Sequence, residues 1–315
     1  MKPKIIFFGT PIFAVGILNE IRKRDFIIEA VVTSPDKKAG RGRKLTGSEV
    51  KKYCVSKNIK LYQPQDLNNS TFISNLKSHN ADIFVVVAFR IIPKIVWSIP
   101  KKGTFNLHAS LLPNYRGAAP INWVIINQEK ITGLTTFFID KKIDTGKILL
   151  KQKYKINKTE TFDSLHYNLM EIGKKLVIKT INLIFIKKIN PQIQKVSGKN
   201  LKLAPKLNKM NTKINWEDSL EKIVSFINGL NSYPGAWSEI IENKKIDTFK
   251  IYECEPEYNI HNISENKILV INKQIKISHK EGFLIIKSLK LANKKRLSNT
   301  ELLNGYTFKT GVFVS

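Results

Sequence analysis

Apolar runs bounded by turn residues alternate with helical periodicities through the first half of the chain. Ile5-Ile6-Phe7-Phe8, closed by Gly9-Thr10-Pro11, reads as a buried strand ending in a tight turn, and Ile12 to Ile21 follows with a helical pattern. Glu29 to Thr33 reads as a second strand. Asp82 to Ala88 is continuously apolar and β-branched, as expected of a parallel strand covered on both faces. Thr104 to His108 and Thr135 to Ile139 are further extended runs. This alternation predicts an α/β fold built on an open, doubly wound, mostly parallel sheet, with ligands outside the carboxyl ends of its strands. Phe162, Leu165, Leu169, Ile172 and Leu176 share one helical face and predict a long helix beginning near Thr159. Asn190-Pro191 and the stretch from Ser197 to Asn208, rich in Lys, Asn and Pro, read as an exposed linker. Beyond it, a short helix from Glu217 to Phe226 and short alternating strands such as Lys267 to Ile271 and Phe283 to Ser288 predict a small β-barrel.

Charge changes this picture more than composition does. The 315 residues carry 53 Lys and Arg against 25 Asp and Glu, a net charge of +28. Such an excess points to phosphate-rich polymers or anionic surfaces as partners. It is uneven: residues 1–140 hold 21 basic and 9 acidic residues, residues 141–206 hold 16 and 4, and residues 207–315 hold 16 and 12. The densest positive charge therefore lies mid-chain. Cys54 and Cys254 stand alone, which argues against a disulfide framework or structural zinc and fits a reducing cytoplasm. His79, His166, His261 and His279 lack ligand spacing, so no metal is expected. No apolar run approaches the roughly 18 residues of a membrane span, so no membrane partner is expected. Gly9 lacks the further glycines of a dinucleotide fingerprint, so NAD is not expected.

The segment Gly103 to Gly146 holds the candidate chemistry. Side chains alternate along a strand, so Asn106 and His108 share one side while Leu107 packs inward. An amide donor beside an imidazole suits acyl transfer: the amide holds a developing oxyanion, and the imidazole moves protons near neutral pH. Asp144-Thr145-Gly146 follows the strand that ends at Ile139, and its carboxylate could orient His108 or a water, or accept a proton from an attacking amine. A single strand-end His is more often structural, and Asp before Thr-Gly is commonly a turn residue. Ser110 lacks the Gly-x-Ser-x-Gly elbow of a serine hydrolase, and one Asp-Thr-Gly does not make an aspartic protease.

Asn106 to Pro113, Tyr115 to Pro120 and Ile143 to Gly146 together resemble the signature of the 10-formyltetrahydrofolate-dependent formyltransferases. Phe8-Gly9-Thr10-Pro11 with Phe13-Ala14, the loop Ser34 to Leu45, Ala204-Pro205-Lys206, Tyr233-Pro234-Gly235-Ala236-Trp237, and Lys294-Lys295-Arg296 ahead of Leu303-Asn304-Gly305 extend the likeness over the whole chain. They resemble the branch whose acceptor is initiator methionyl-tRNA, in translation initiation. The resemblance implies a catalytic domain over 1–189, a basic linker over 190–208, and an oligonucleotide-binding-like, tRNA-binding barrel over 209–315. It implies 10-formyltetrahydrofolate as formyl-donor substrate, Asn106, His108 and Asp144 as catalytic residues, and Ser110, Leu111, Leu112 and Pro113 as folate contacts. The expected tRNA contacts are Arg41, Arg43 and Lys44 in the loop and Lys199, Lys202 and Lys206 in the linker. A cytoplasmic monomer is expected. The chain departs from the family pattern at Phe89-Arg90, where Tyr-Gly is usual, and at Lys141-Lys142. Arg90 is expected to narrow or charge the pterin side of the pocket. The competing readings are a formyltransferase acting on an amino-sugar nucleotide and a non-catalytic tRNA-binding protein.

Overall fold

The computed structural model describes residues 2–39, 44–196, 201–242, 245–309 and 311–315. One compact unit comprises Met1–Gly117, Ile131–Lys155 and His166–Leu203, and a second comprises Ala118–Lys130, Ile156–Leu165 and Ala204–Ser315. The helices are α1 (Ile12–Arg22), α2 (Glu49–Ser56), α3 (Ser70–Ser78), α4 (Lys94–Trp97), α5 (Pro120–Ile126), α6 (Phe162–Phe185), α7 (Leu220–Leu230) and α8 (Asn299–Leu303).

The first unit is built on seven strands: β1 (Lys4–Gly9), β2 (Ile27–Val32), β3 (Leu61–Tyr62), β4 (Ile83–Val87), β5 (Thr104–His108), β6 (Ile131–Phe138) and β7 (Ile148–Lys155). Their order is β7-β6-β5-β4-β1-β2-β3. The pairs β1/β2, β1/β4, β2/β3 and β4/β5 are parallel, and β6 runs antiparallel to both β5 and β7. The strand order reverses between β1 and β4, which opens a crevice at their carboxyl ends. Five apolar residues in a row make β4 buried on both faces, as its sequence predicts. On one face, Ile6, Phe8, Val32, Phe84 and Val86 cluster with Phe72, Ile73 and Leu76 of α3. Burying each such side chain contributes about 1.5–3 kcal/mol.

Side-chain caps set several helix starts. Ser48 Oγ accepts the Lys51 N–H at 3.0 Å, and Asn69 Oδ1 accepts the Phe72 N–H at 3.0 Å. In α6 the buried stripe runs through Leu169, Leu176, Val177, Thr180, Ile181 and Ile184. Ile172 of the expected face is only half-buried. Gly173 takes its place there: a Cβ on it would lie 3.1–3.4 Å from Leu107, Ile17 and Leu134. The basic loop after β2 is rooted in a short hairpin, with Lys37–Ala39 antiparallel to Lys44–Thr46.

In the second unit, β8 (Ala236–Glu242), β9 (Lys245–Tyr258), β10 (Ile268–Ile271), β11 (Gln274–His279), β12 (Gly282–Leu291), β13 (Leu297–Ser298) and β14 (Phe313–Val314) form one antiparallel sheet. Its order is β10-β11-β12-β9-β8-β14, with β13 on β12. A bridge between Lys267 and Phe313 ties the two ends, so the sheet curls into the expected barrel. Leu220, Ile223, Ile227 and Leu230 of α7 fill its core with Ile251, Ile277 and Ile286. α7 starts three residues later than its pattern suggests. Trp216 is drawn into the core, its indole N–H donating to Ser238 Oγ at 2.9 Å, and Ser219 becomes the cap. The Trp123-bearing α5 belongs to this unit, with Ile126 in its core and Asn122 Nδ2 donating to Gly229 O at 2.8 Å.

Candidate active site

Asn106 and His108 lie on β5, opposite Phe137 and Thr135 of β6. Leu107 is buried as expected, but His108 is buried as well, at 6% exposure, because both faces of β5 are covered. Asn106 is half-buried, and its side-chain amide makes no hydrogen bond among the described residues. That leaves the amide open to a substrate. His108 Nε2 lies 2.8 Å from the Tyr115 carbonyl. A carbonyl can only accept, so Nε2 carries the hydrogen and Nδ1 is the nitrogen that can exchange a proton. Nδ1 faces Asp144 Oδ2 at 3.8 Å, an ion-pair distance when the ring is charged.

Asp144 sits in the connection between β6 and β7 with φ +55°. Its Oδ2 accepts the Gly117 N–H at 3.0 Å. Gln194 Nε2 donates to the carbonyls of Asp144 and Gly146, at 2.9 and 2.8 Å, and Gln194 Oε1 accepts from Arg116. Gly146 is obligatory: a Cβ there would lie 1.6 Å from the Phe138 carbonyl. Asp140 shapes the same turn through Lys142 N–H and Thr145 Oγ1. His108 and Asp144 therefore meet at the carboxyl end of β5, with Asn106 two residues earlier on the same strand.

Ser110 and Leu112 have no exposed surface, whereas Leu111 and Pro113 are half-buried. Ser110 Oγ donates to Asn114 O at 2.7 Å. Thr135 Oγ1 donates to Ser110 O and accepts the Leu112 N–H, and Lys151 Nζ donates to Leu112 O. The turn is thus held rigidly by β6 and β7, with Leu111 and Pro113 offering side-chain surface. Burial lowers the Lys151 pKa. Arg90 does not stand free to charge a pocket. Its guanidinium donates to the carbonyls of Pro64 and Gln65, its Nε is buried without a partner among the described residues, and desolvation lowers its pKa. Lys141 and Lys142 are exposed.

Among the expected tRNA contacts, Arg41, Arg43, Lys199 and the Lys44 side chain lie outside the described residues. Lys202 and Lys206 are exposed, and Lys202 O accepts the Tyr115 N–H. The stretch read as an exposed linker is in part tied down: Gln192 exchanges two backbone bonds of 2.8 Å with Ile148, and Gln194 is buried. Sequence reasoning missed Gln194 and the backbone roles of Tyr115 and Gly117, for which composition and spacing carry no signal.

It also missed a groove of about 550 Å³ in the second unit, lined by Lys209, Tyr233, Trp237, Lys250, Lys290 and Asn293 among others. Tyr233 is 80% exposed. The Lys209 and Lys213 ammonium groups lie 5.1 and 5.4 Å from the Trp237 ring centre. Lys250 faces Lys290 directly across β9 and β12, and its pKa is lowered by burial and by that second lysine.

Residues 3–181 match the formyl transferase family, and residues 206–307 match the formyl transferase C-terminal domain. A protein of Flavobacterium johnsoniae named methionyl-tRNA formyltransferase is 47% identical over 307 residues, spanning 98% of this chain and 97% of its own length. Among solved structures, WlaRD, a sugar 3N-formyl transferase determined in the presence of dTDP and 5-N-formyl-THF, is similar with TM-score 0.64 and 25% identity, over 94% of this chain and 100% of that one. HypX from Aquifex aeolicus, in complex with tetrahydrofolic acid, shares the fold with TM-score 0.67 at 16% identity, over 96% of this chain and 47% of that longer one. With both parts of the chain matched and a relative this similar end to end, the protein belongs to the formyl transferase family.

Proposed function

We infer that this protein transfers the formyl group of 10-formyltetrahydrofolate to the amino group of methionine on initiator methionyl-tRNA. The observation that carries the chemistry is the unpartnered Asn106 amide beside a His108 whose Nδ1 faces the Asp144 carboxylate. The neutral amine of the acceptor attacks the formyl carbon, and the C=O electron pair moves onto oxygen. Asn106 Nδ2 and the protonated Nδ1 of His108 stabilise that oxygen, while Asp144 holds the charged ring and draws the proton from the amine. Collapse restores C=O, breaks the bond to the donor nitrogen and returns a proton to it. Leu111 and Pro113 supply apolar surface for the flat donor.

Basic surface accounts for a polyanionic acceptor. Lys202 and Lys206, with Arg41, Arg43, Lys44 and Lys199, supply cations for tRNA phosphates. The groove of the second unit adds Lys209, Lys250 and Lys290 beside the exposed Tyr233 ring, a combination suited to phosphates and an unstacked base. The deciding experiment offers the protein 10-formyltetrahydrofolate with methionyl-tRNA in one arm and an amino-sugar nucleotide in the other. Formyl transfer to methionyl-tRNA alone is expected, and transfer only to the sugar would reject the reading.

A further inference from the structure

We propose that Gln194 is a positioning residue for formyl transfer, acting through Asp144; this rests on the functional reading above. Asp144 holds a backbone conformation that a non-glycine residue adopts at a cost, so its surroundings must enforce it. Gln194 has one amide oxygen and two N–H groups, and all are engaged. Oε1 accepts from Arg116 Nε at 3.2 Å and Nη2 at 2.6 Å, and Nε2 donates to Asp144 O at 2.9 Å and Gly146 O at 2.8 Å. At 8% exposure little water can substitute for these bonds. Arg116 precedes Gly117, whose N–H holds the Asp144 carboxylate at 3.0 Å. The bonds close a ring, so the carboxylate and the backbone carbonyl of Asp144 are fixed to one frame. The frame itself is anchored by the paired Gln192 and Ile148 backbones. Among the described residues Gln194 makes no hydrogen bond to His108 or Asn106, so its effect on them would pass through the placement of Asp144.

Gln194→Met keeps the side chain's length and removes every one of these bonds, while Gln194→Glu keeps the acceptor for Arg116 and removes both donors. A small misplacement of a catalytic group costs up to about 100-fold, so each variant should lower kcat by about 10- to 100-fold. KM for both substrates should stay within about twofold, since bulk binding surface is untouched. The decisive arm is a double-mutant cycle. With Asp144→Ala already present, Gln194→Met should slow transfer no further. If the two effects multiply, Gln194 acts independently of Asp144 and the proposal is overturned. Amide exchange at Gly117 gives a readout without turnover: it should quicken in both Gln194 variants while β5 amides stay protected. Unchanged Gly117 exchange would reject the clamp. A wild-type protein that formylates no methionyl-tRNA would reject the functional reading instead, leaving the exchange test standing.

Discussion

His108 in the first unit and His279 in the second are both buried, at 6% and 1% exposure, and both place Nε2 on a backbone carbonyl. They differ at the other ring nitrogen. His279 Nδ1 accepts the Glu281 N–H at 3.1 Å, so both nitrogens are saturated by backbone and the ring is a structural tie. His261 follows the same pattern, with Nε2 at Gly282 O and Nδ1 at the Ile263 N–H. His108 Nδ1 instead faces a carboxylate at 3.8 Å and meets no backbone donor among the described residues. Burial therefore does not separate the proposed catalytic histidine from a supporting one. Between these two rings the partner of the second nitrogen differs, although a carboxylate there is not by itself a mark of catalysis, since His79 Nδ1 also lies 3.5 Å from Glu29 Oε2.

Replacing each ring in turn tests the two roles. His108→Ala should lower kcat per folded molecule by on the order of 100- to 10,000-fold, beside a loss of about 1–3 kcal/mol in denaturant unfolding because the Tyr115 carbonyl loses its donor. His279→Ala should leave kcat per folded molecule within about twofold. It should cost about 1–3 kcal/mol in denaturant unfolding, because Asp218 O and the Glu281 N–H are left without their partner. A large kcat loss in the second variant would remove the distinction.

Periodicity and spacing encode only parts of this picture. β5 is legible in the sequence from Thr104 to His108, and the approach of Asp144 to His108 follows from family likeness rather than from spacing. The tautomer of His108 is not legible, since it depends on a carbonyl at Tyr115 that any residue would supply. Gln194 lies in a polar run that reads as linker, because one buried amide leaves no mark on composition. The placement of α5 is hidden too: its apolar pattern reports that it is buried, not which core buries it. Charge density draws attention to residues 141–206, yet the barrel groove gathers its lysines from β9, β12 and the segment before α7, far apart in sequence.

The two basic surfaces can be compared through salt. Replacing Lys209 and Lys290 by Ala should flatten the log affinity against log salt plot for tRNA by about one unit for each phosphate no longer neutralised. The same pair of changes at Lys202 and Lys206 measures the linker. An unaltered slope at either surface would mark its lysines as solvated. Tyr233→Ala should weaken binding by about 1–3 kcal/mol without altering the slope, since stacking releases no counterions.

The smallest effect concerns the root of the basic hairpin. Hydrogen bonds from Lys51, at 2.5 Å, and from Gln63, at 2.7 Å, hold the Asp36 carboxyl below its ordinary value. A lowered carboxyl pKa stabilises fully above the ordinary aspartate value and loses that contribution as pH falls through the lowered one. Amide exchange in the Lys37–Ala39 hairpin should therefore quicken in that acid window in the wild type. In Asp36→Asn it should be fast already at neutral pH.

The Asn106 amide, unpartnered among the described residues, is central to the proposed chemistry, in which it would serve the formyl oxygen as charge develops there. Single-turnover formyl transfer to methionyl-tRNA, followed at saturating donor in the wild type and in Asn106→Ala, tests this role most directly. The transfer step is expected to slow by on the order of 100- to 1000-fold, with half-saturation by either substrate nearly unchanged. Transfer at close to the wild-type rate, or a loss confined to substrate binding, would contradict it.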